Sequence, residues 1–273
     1  MIRDITIGQY YPANSKLHRL DPRVKIMCTL FYLISLFLFK SVLGYAIATV
    51  FLAAVIRISK VPLKFILKGL KPIIMLLMIT VVFNLFLTKG GDVLFEAWIF
   101  QVTEEGLRTA VYMAVRLIYL IIGSSLMTFT TTPNALTDGI ELLWPFNKIK
   151  MPVHEIAMMM SIALRFIPIL LEETDKIMKA QIARGADLES GNIIQKAKSM
   201  IPILVPLFVS AFRRANDLAM AMEARCYRGG EGRTKMKPLV YQSRDYIAYA
   251  ITIVYMVAVI VIGRLVPFKV WIF

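Results

Sequence analysis

Apolar runs long enough to cross a bilayer alternate with short polar stretches along most of this chain. A transmembrane helix needs about 20 predominantly apolar residues. Residues 26–56 are apolar apart from Lys40, which at 31 residues is too long for one crossing. A break at Lys40-Ser41 divides the run into two short helices, 25–39 and 44–56. Further spans are expected at 72–88, at about 109–132 and at 246–263, the last bounded by Asp245 and Arg264. The pattern predicts an all-α, polytopic integral membrane protein with about five transmembrane helices. The stretch 133–244 is too long to be a connecting loop. Within it, 154–171 and 199–212 are apolar, but the first contains Arg165 and Pro168 and the second Pro202 and Pro206. Neither is expected to make a clean span; long amphipathic helices at the membrane interface are predicted instead. The expected organisation is a leader (1–24), a four-helix membrane region (25–132), a cytoplasmic helical region (133–244) and a C-terminal transmembrane helix with its tail (245–273).

Composition agrees and narrows the function classes. The chain is 58% hydrophobic and 18% charged, against about 45–50% and about 25% in soluble domains. Its 32 Lys+Arg face 18 Asp+Glu, a formal charge of +14. A soluble nucleic-acid binder could carry that charge but not so apolar a sequence. Basic residues near span ends set orientation. The leader holds Arg3, Lys16, Arg19, Arg23 and Lys25, and the loop after the second span holds Arg57, Lys60, Lys64, Lys68 and Lys71 with no acid. Between the third and fourth spans, Lys89 and Arg108 meet Asp92, Glu96, Glu104 and Glu105. The N-terminus and 133–244 are therefore expected in the cytoplasm. The basic excess is mostly an orientation signal, since 133–244 holds 16 basic residues against 11 acids.

Catalytic chemistry is sparse. Cys28 and Cys226 form no CxxC, and with only His18 and His154 no metal-ligand spacing arises. The N-terminus lacks the apolar core of a cleavable signal peptide. No G-x-x-x-x-G-K-[ST], GxSxG or HExxH occurs. The near-absence of ionisable residues inside the spans argues against a carrier with its own ion-coupled site. Arg116 is the exception; it either snorkels or pairs with a helix neighbour, or makes a bundle contact for which Asn84 is a candidate.

The segment 133–244 contains a degenerate pair. Ile167-Pro168-Ile169-Leu170 recurs as Ile201-Pro202-Ile203-Leu204, and Ala-Arg follows at Ala183-Arg184-Gly185 and Ala224-Arg225-Cys226. The arginines lie 17 and 24 residues beyond the leading isoleucines, a difference of about two helical turns. Gly185, and Gly229-Gly230 after the second helix, suit left-handed C-caps. Two readings stand: the arginines complement helix dipoles, or they present guanidinium groups to carboxylates of a partner. The charges at Glu172, Glu173, Asp175, Lys176 and Lys179 read as a solvated face, and Arg228, Arg233, Lys235 and Lys237 as an inner anchor of the last span. Asp21 and Pro22 make a favourable helix start, and His18 reads as a packing or hydrogen-bonding residue.

The run Ser15-Lys16-Leu17-His18-Arg19-Leu20-Asp21-Pro22-Arg23-Val24-Lys25 resembles the S-x-L-H-x-L-D-P-R-x-K leader of the T component (EcfT/CbiQ-like) of energy-coupling factor importers, which belong to the ATP-binding-cassette class. The two Ala-Arg-small triplets resemble that family's paired signatures, with Cys226 where glycine is commoner. The resemblance implies a non-catalytic subunit that links two cytoplasmic ATPases to a substrate-binding membrane S component, for uptake of vitamins or transition-metal ions. It implies coupling helices crossed in an X, with Arg184 and Arg225, supported by Ala183, Gly185, Ala224 and Cys226, engaging one ATPase each. Part of the surface gripping the S component would be Ile201, Pro202, Leu204, Pro206 and Leu207. No cofactor is expected in this chain, ATP and Mg being held by the ATPases; no nucleic acid is expected as partner, and the location implied is a prokaryotic cell membrane. A stand-alone channel or secondary carrier is the alternative.

Overall fold

The computed structural model describes residues 10–39, 41–88, 90, 93–97, 100–143, 153–186, 192–229, 236 and 238–265. Nine α-helices appear among them: α1 (Pro22–Leu38), α2 (Val42–Ser59), α3 (Leu63–Leu70), α4 (Ile74–Leu87), α5 (Glu104–Thr130), α6 (Pro133–Leu143), α7 (Val153–Ala183), α8 (Ile193–Ala224) and α9 (Ser243–Leu265). Each expected span coincides with a helix. A small antiparallel hairpin, β1 (Val93–Ala97) with β2 (Phe100–Thr103), is added between α4 and α5. The break inside the first apolar run is real: Ser41 caps α2, its Oγ accepting from the Gly44 N–H at 3.3 Å. Lys40 lies outside the described residues.

Helices α2, α5, α7, α8 and α9 are long and apolar enough to cross a membrane, and α3 with α4, bent by 60° at their junction, is a sixth candidate. The stretches 154–171 and 199–212, expected as amphipathic helices at the membrane interface, lie within α7 and α8, which run unbroken through both. Pro168 lies inside the 31-residue α7, and Pro202 and Pro206 inside the 32-residue α8, without ending either helix. A proline removes one i→i−4 hydrogen bond, but a long helix keeps the bonds on both sides.

The chain divides into two compact units. One comprises Gly8–Gly139 with Leu239–Phe273. Its core is aromatic-rich: Tyr32, Leu36, Phe39, Tyr45, Phe129 and Tyr255 are buried together. Tyr45 meets Phe39 edge-on at 5.0 Å and stacks on Tyr112 at 5.2 Å. Hydroxyls buried this way need partners; Tyr255 and Ser35 satisfy each other at 2.8 Å. Gly123 lets α5 approach α1, since a Cβ there would run into the Tyr32 ring. Large apolar side chains such as Val50 and Met75 point outward, as lipid-facing helices require. In the other unit, drawn from Ile140–Pro238, α7 and α8 pack against each other.

Candidate functional site

Each signature triplet closes its helix in the same way. Ala183 is the last residue of α7, Arg184 follows it, and Gly185 adopts a left-handed φ of 84°. The Ala186 N–H donates to the Gln181 carbonyl at 3.0 Å and the Gly185 N–H to that of Ile182 at 2.9 Å. At the end of α8, Ala224 is last, Arg225 is the C-cap and Cys226 takes the left-handed turn at φ 56°. There the Tyr227 N–H donates to the Met222 carbonyl at 3.1 Å and the Cys226 N–H to that of Glu223 at 2.9 Å. Both are Schellman motifs in matching register. Gly229 also has positive φ, but the cap expected at Gly229-Gly230 is three residues too late: Cys226 fills that position. Gly230 lies outside the described residues.

Backbone donors thus satisfy the carbonyls that a helix leaves open at its C-terminus. Both guanidinium groups are left exposed, without a hydrogen bond or ion pair among the described residues. Neither arginine is consumed in closing its own helix.

Two polar ties join α7 and α8. Arg214 Nη2 meets Glu173 Oε2 at 3.3 Å, and Gln181 Nε2 donates to the Pro202 carbonyl at 3.2 Å. As α7 runs from Glu173 to Gln181, its partners on α8 run backward from Arg214 to Pro202, so the contact is antiparallel. Glu173 therefore reaches across the helix pair instead of only facing solvent. The second tie follows from Pro206, which lacks the N–H that would otherwise bond the carbonyl four residues back. The freed oxygen belongs to Pro202, and Gln181 donates to it. Counting the rise along α8 from this tie, the two arginines stand on the order of 35 Å apart. Of the apolar positions expected on α8, Ile201, Pro202, Leu204 and Pro206 are exposed and Leu207 is half-buried, with Phe208 and Phe212 continuing the exposed face.

Similarity to known proteins fits this arrangement. Residues 13–236 match the family model described as CbiQ, cobalt transport protein. The chain is 59% identical to the energy-coupling factor transporter transmembrane protein EcfT of Clostridium kluyveri, over 97% of this chain and 98% of that one. It is 57% identical to EcfT of Ruminiclostridium cellulolyticum (95% and 97% covered) and 49% identical to EcfT of Bacillus subtilis (90% and 93% covered). The chain belongs to the EcfT/CbiQ family. It is a transmembrane T component of an energy-coupling factor transporter, a multi-pass membrane protein and a non-catalytic subunit.

The family leader proves to be a structural clamp. Asp21 caps α1, accepting from the Arg23 N–H at 2.9 Å, with Pro22 in the first turn. The Arg23 guanidinium returns to Asp21 at 2.9 and 3.1 Å, bonds the Leu239 carbonyl at 3.1 Å and lies 3.9 Å over the Tyr241 ring. Burial raises the Asp21 pKa, but the hydrogen bonds and charge of Arg23 outweigh it, leaving the carboxyl below its ordinary value. Lys25 Nζ donates to the carbonyls of His18 at 3.1 Å and Thr130 at 2.8 Å. His18 Nε2 donates to the Tyr11 carbonyl at 2.9 Å, so its Nδ1 accepts from the Ser15 hydroxyl at 2.6 Å. The starts of α1 and α9 and the end of α5 are thereby tied at one end of this unit.

Sequence reasoning missed Asp245 except as a span boundary. It is 1% exposed, accepting from the Asp21 N–H at 2.9 Å and the Gln242 N–H at 2.8 Å. An acid immediately before an apolar helix was the available signal. Arg116 does not meet Asn84, whose Nδ2 donates to Thr80 of its own helix at 2.7 Å. Instead Arg116 reaches the Phe39 carbonyl at the end of α1 at 3.4 Å and lies 5.5 Å over the Phe37 ring. Among the described residues no group of three His, Cys, Asp or Glu gathers as a metal site. Arg233, Lys235 and Lys237 lie outside the described residues.

Proposed function

We propose that this T component couples ATP hydrolysis by two partner ATPases to uptake of a vitamin or transition-metal ion held by a membrane S component. The observation that carries the reading is the pair of matching helix corners on one antiparallel helix pair. Each presents an exposed arginine that its own helix does not use. About 35 Å is too far for both to grip one small ligand, yet it suits two docking points on separate ATPase subunits. Arginine is the residue for such a contact, because its planar fork binds a carboxylate bidentately. Ala183, Gly185, Ala224 and Cys226 hold the two corners. ATP and Mg belong to the ATPases.

The exposed face bearing Ile201, Pro202, Leu204, Pro206 and Leu207 is assigned to the S component. Segments 1–24 and 133–244 are assigned to the cytoplasm, with 25–132 and 245–273 forming the membrane scaffold. The clamp supports that topology, since it gathers helix ends that the basic loops assign to one side.

The test replaces Arg184 and Arg225 with alanine together, in the assembled complex. Loss of ATPase co-purification, or ATP hydrolysis without uptake, is expected. Normal assembly and full uptake in the double variant would overturn the assignment. Transport by the purified chain alone in proteoliposomes would favour a channel or carrier.

A further inference from the structure

At the clamped end of the membrane unit, α1, α2, α5 and α9 enclose a cavity of about 560 Å³, within the range of about 300–1,000 Å³ typical of ligand sites. Its walls are aliphatic, including Val24, Leu52, Val55, Leu126 and Ile251, and its deep end is closed by Tyr32 and Phe51, stacked at 5.9 Å. The free charges are confined to the mouth, where Lys16, Arg19 and Arg244 line it and no acid does, while Thr29 and Thr252 add uncharged hydroxyls farther in. All three are exposed, and none has a hydrogen bond or ion pair among the described residues. Lys25 also borders the cavity, but two backbone carbonyls hold its ammonium group.

The depth is informative. Along α9 the lining runs from Arg244 to Thr252, and along α5 from Thr130 to Gly123. Either stretch corresponds to about 10–12 Å of helix, most of one leaflet's share of a hydrocarbon core about 30 Å thick. A ligand that fits has an anion at the level of the span ends and a hydrocarbon tail running toward the midplane.

We propose that the cavity holds an acyl chain of an anionic phospholipid, whose phosphate is bound by Lys16, Arg19 and Arg244. The lipid wedges between α1, α2, α5 and α9 beside the leader clamp, making the anionic leaflet part of the scaffold on which the transporter assembles. Charge complementarity selects this occupant. A zwitterionic lipid brings a second, repelled charge to the mouth, and a free phosphate leaves the apolar walls empty.

The test measures lipid retained by the full chain released from nanodiscs of phosphatidylglycerol and phosphatidylcholine, read by native mass spectrometry. Wild type is expected to keep phosphatidylglycerol in preference. The combined Lys16→Gln, Arg19→Gln, Arg244→Gln variant is expected to lose it by tenfold or more, at roughly fivefold per charge near the membrane surface. Its phosphatidylcholine level should not change. Ala248→Phe, which fills the cavity and leaves the mouth intact, should also expel the lipid. Equal retention of the two lipids by wild type, or undiminished phosphatidylglycerol in either variant, would overturn the proposal. Full displacement by inorganic phosphate alone would do so too, by showing a phosphate site without a tail.

Discussion

The two helix corners differ in one atom group that matters, and exchanging it tests whether they are equivalent. Gly185 and Cys226 hold the same position, at φ 84° and 56°. A residue with a Cβ in the left-handed region is disfavoured by about 1–2 kcal/mol. Glycine loses about 0.5–1 kcal/mol of that advantage through the greater freedom of its unfolded chain. The net preference for glycine is about 0.5–1 kcal/mol, a factor of about two to five in the opening equilibrium. At Gly185 an added Cβ meets nothing within 4 Å, so Gly185→Ala reports backbone strain without a clash. Hydrogen exchange in nanodiscs should show the Ala186 amide, which closes the first corner, exchanging about two to five times faster in that variant. Cys226→Gly should slow the Tyr227 amide by a similar factor, and Cys226→Ser should leave it unchanged. Shifts of the same sign in Gly185→Ala and Cys226→Gly, or no shift in either, would refute the equivalence of the corners.

Three further outcomes follow from the geometry. Asp245→Ala strands two backbone N–H groups that now donate to a buried carboxylate, each such bond worth about 1.5–3 kcal/mol. A clearly lower melting temperature in detergent is expected, with Asp245→Asn intermediate; an unchanged transition would remove Asp245 from the clamp. Burial and the Lys25 charge hold His18 below its ordinary pKa of 6.5, against the raising effect of the Tyr11 and Phe129 carbonyls. The unfolded leader therefore binds the proton more readily. Its docking should be intact above pH 6.5 and weaken as pH falls below it, seen as faster exchange over 10–21 that His18→Gln abolishes. Pro206→Ala supplies the missing N–H to the Pro202 carbonyl and displaces Gln181. Spin labels at Lys179 and Lys198 should then show a broader distance distribution, as in Gln181→Ala, whereas unaltered distributions would show that the tie does not hold the pair.

Most helices were legible because apolar runs of membrane length carry their signal locally. The helix start at Asp21-Pro22 was equally legible, since capping needs only neighbouring residues. Gly185 could be read as a C-cap for the same reason. Cys226 could not, because glycine is the usual marker of a left-handed turn and two glycines stood close by. The prolines of α7 and α8 misled in the other direction: proline lowers local helix propensity, while length and helix–helix packing keep these helices whole. Asp245 and Arg116 act through backbone groups of distant helices, Asp21 and Phe39. No local pattern announces the distant partner of such a contact.

The oxygen released by Pro206 has a consequence for how this scaffold tolerates change. The register between α7 and α8 is marked by a main-chain atom, at a place where the neighbouring side chains Ile201 and Leu204 are exposed. Those side chains can vary without altering the spacing of the two arginines. The proline turns α8 into a ruler with a fixed zero, so the exposed face and the distance between the two corners are free to evolve separately.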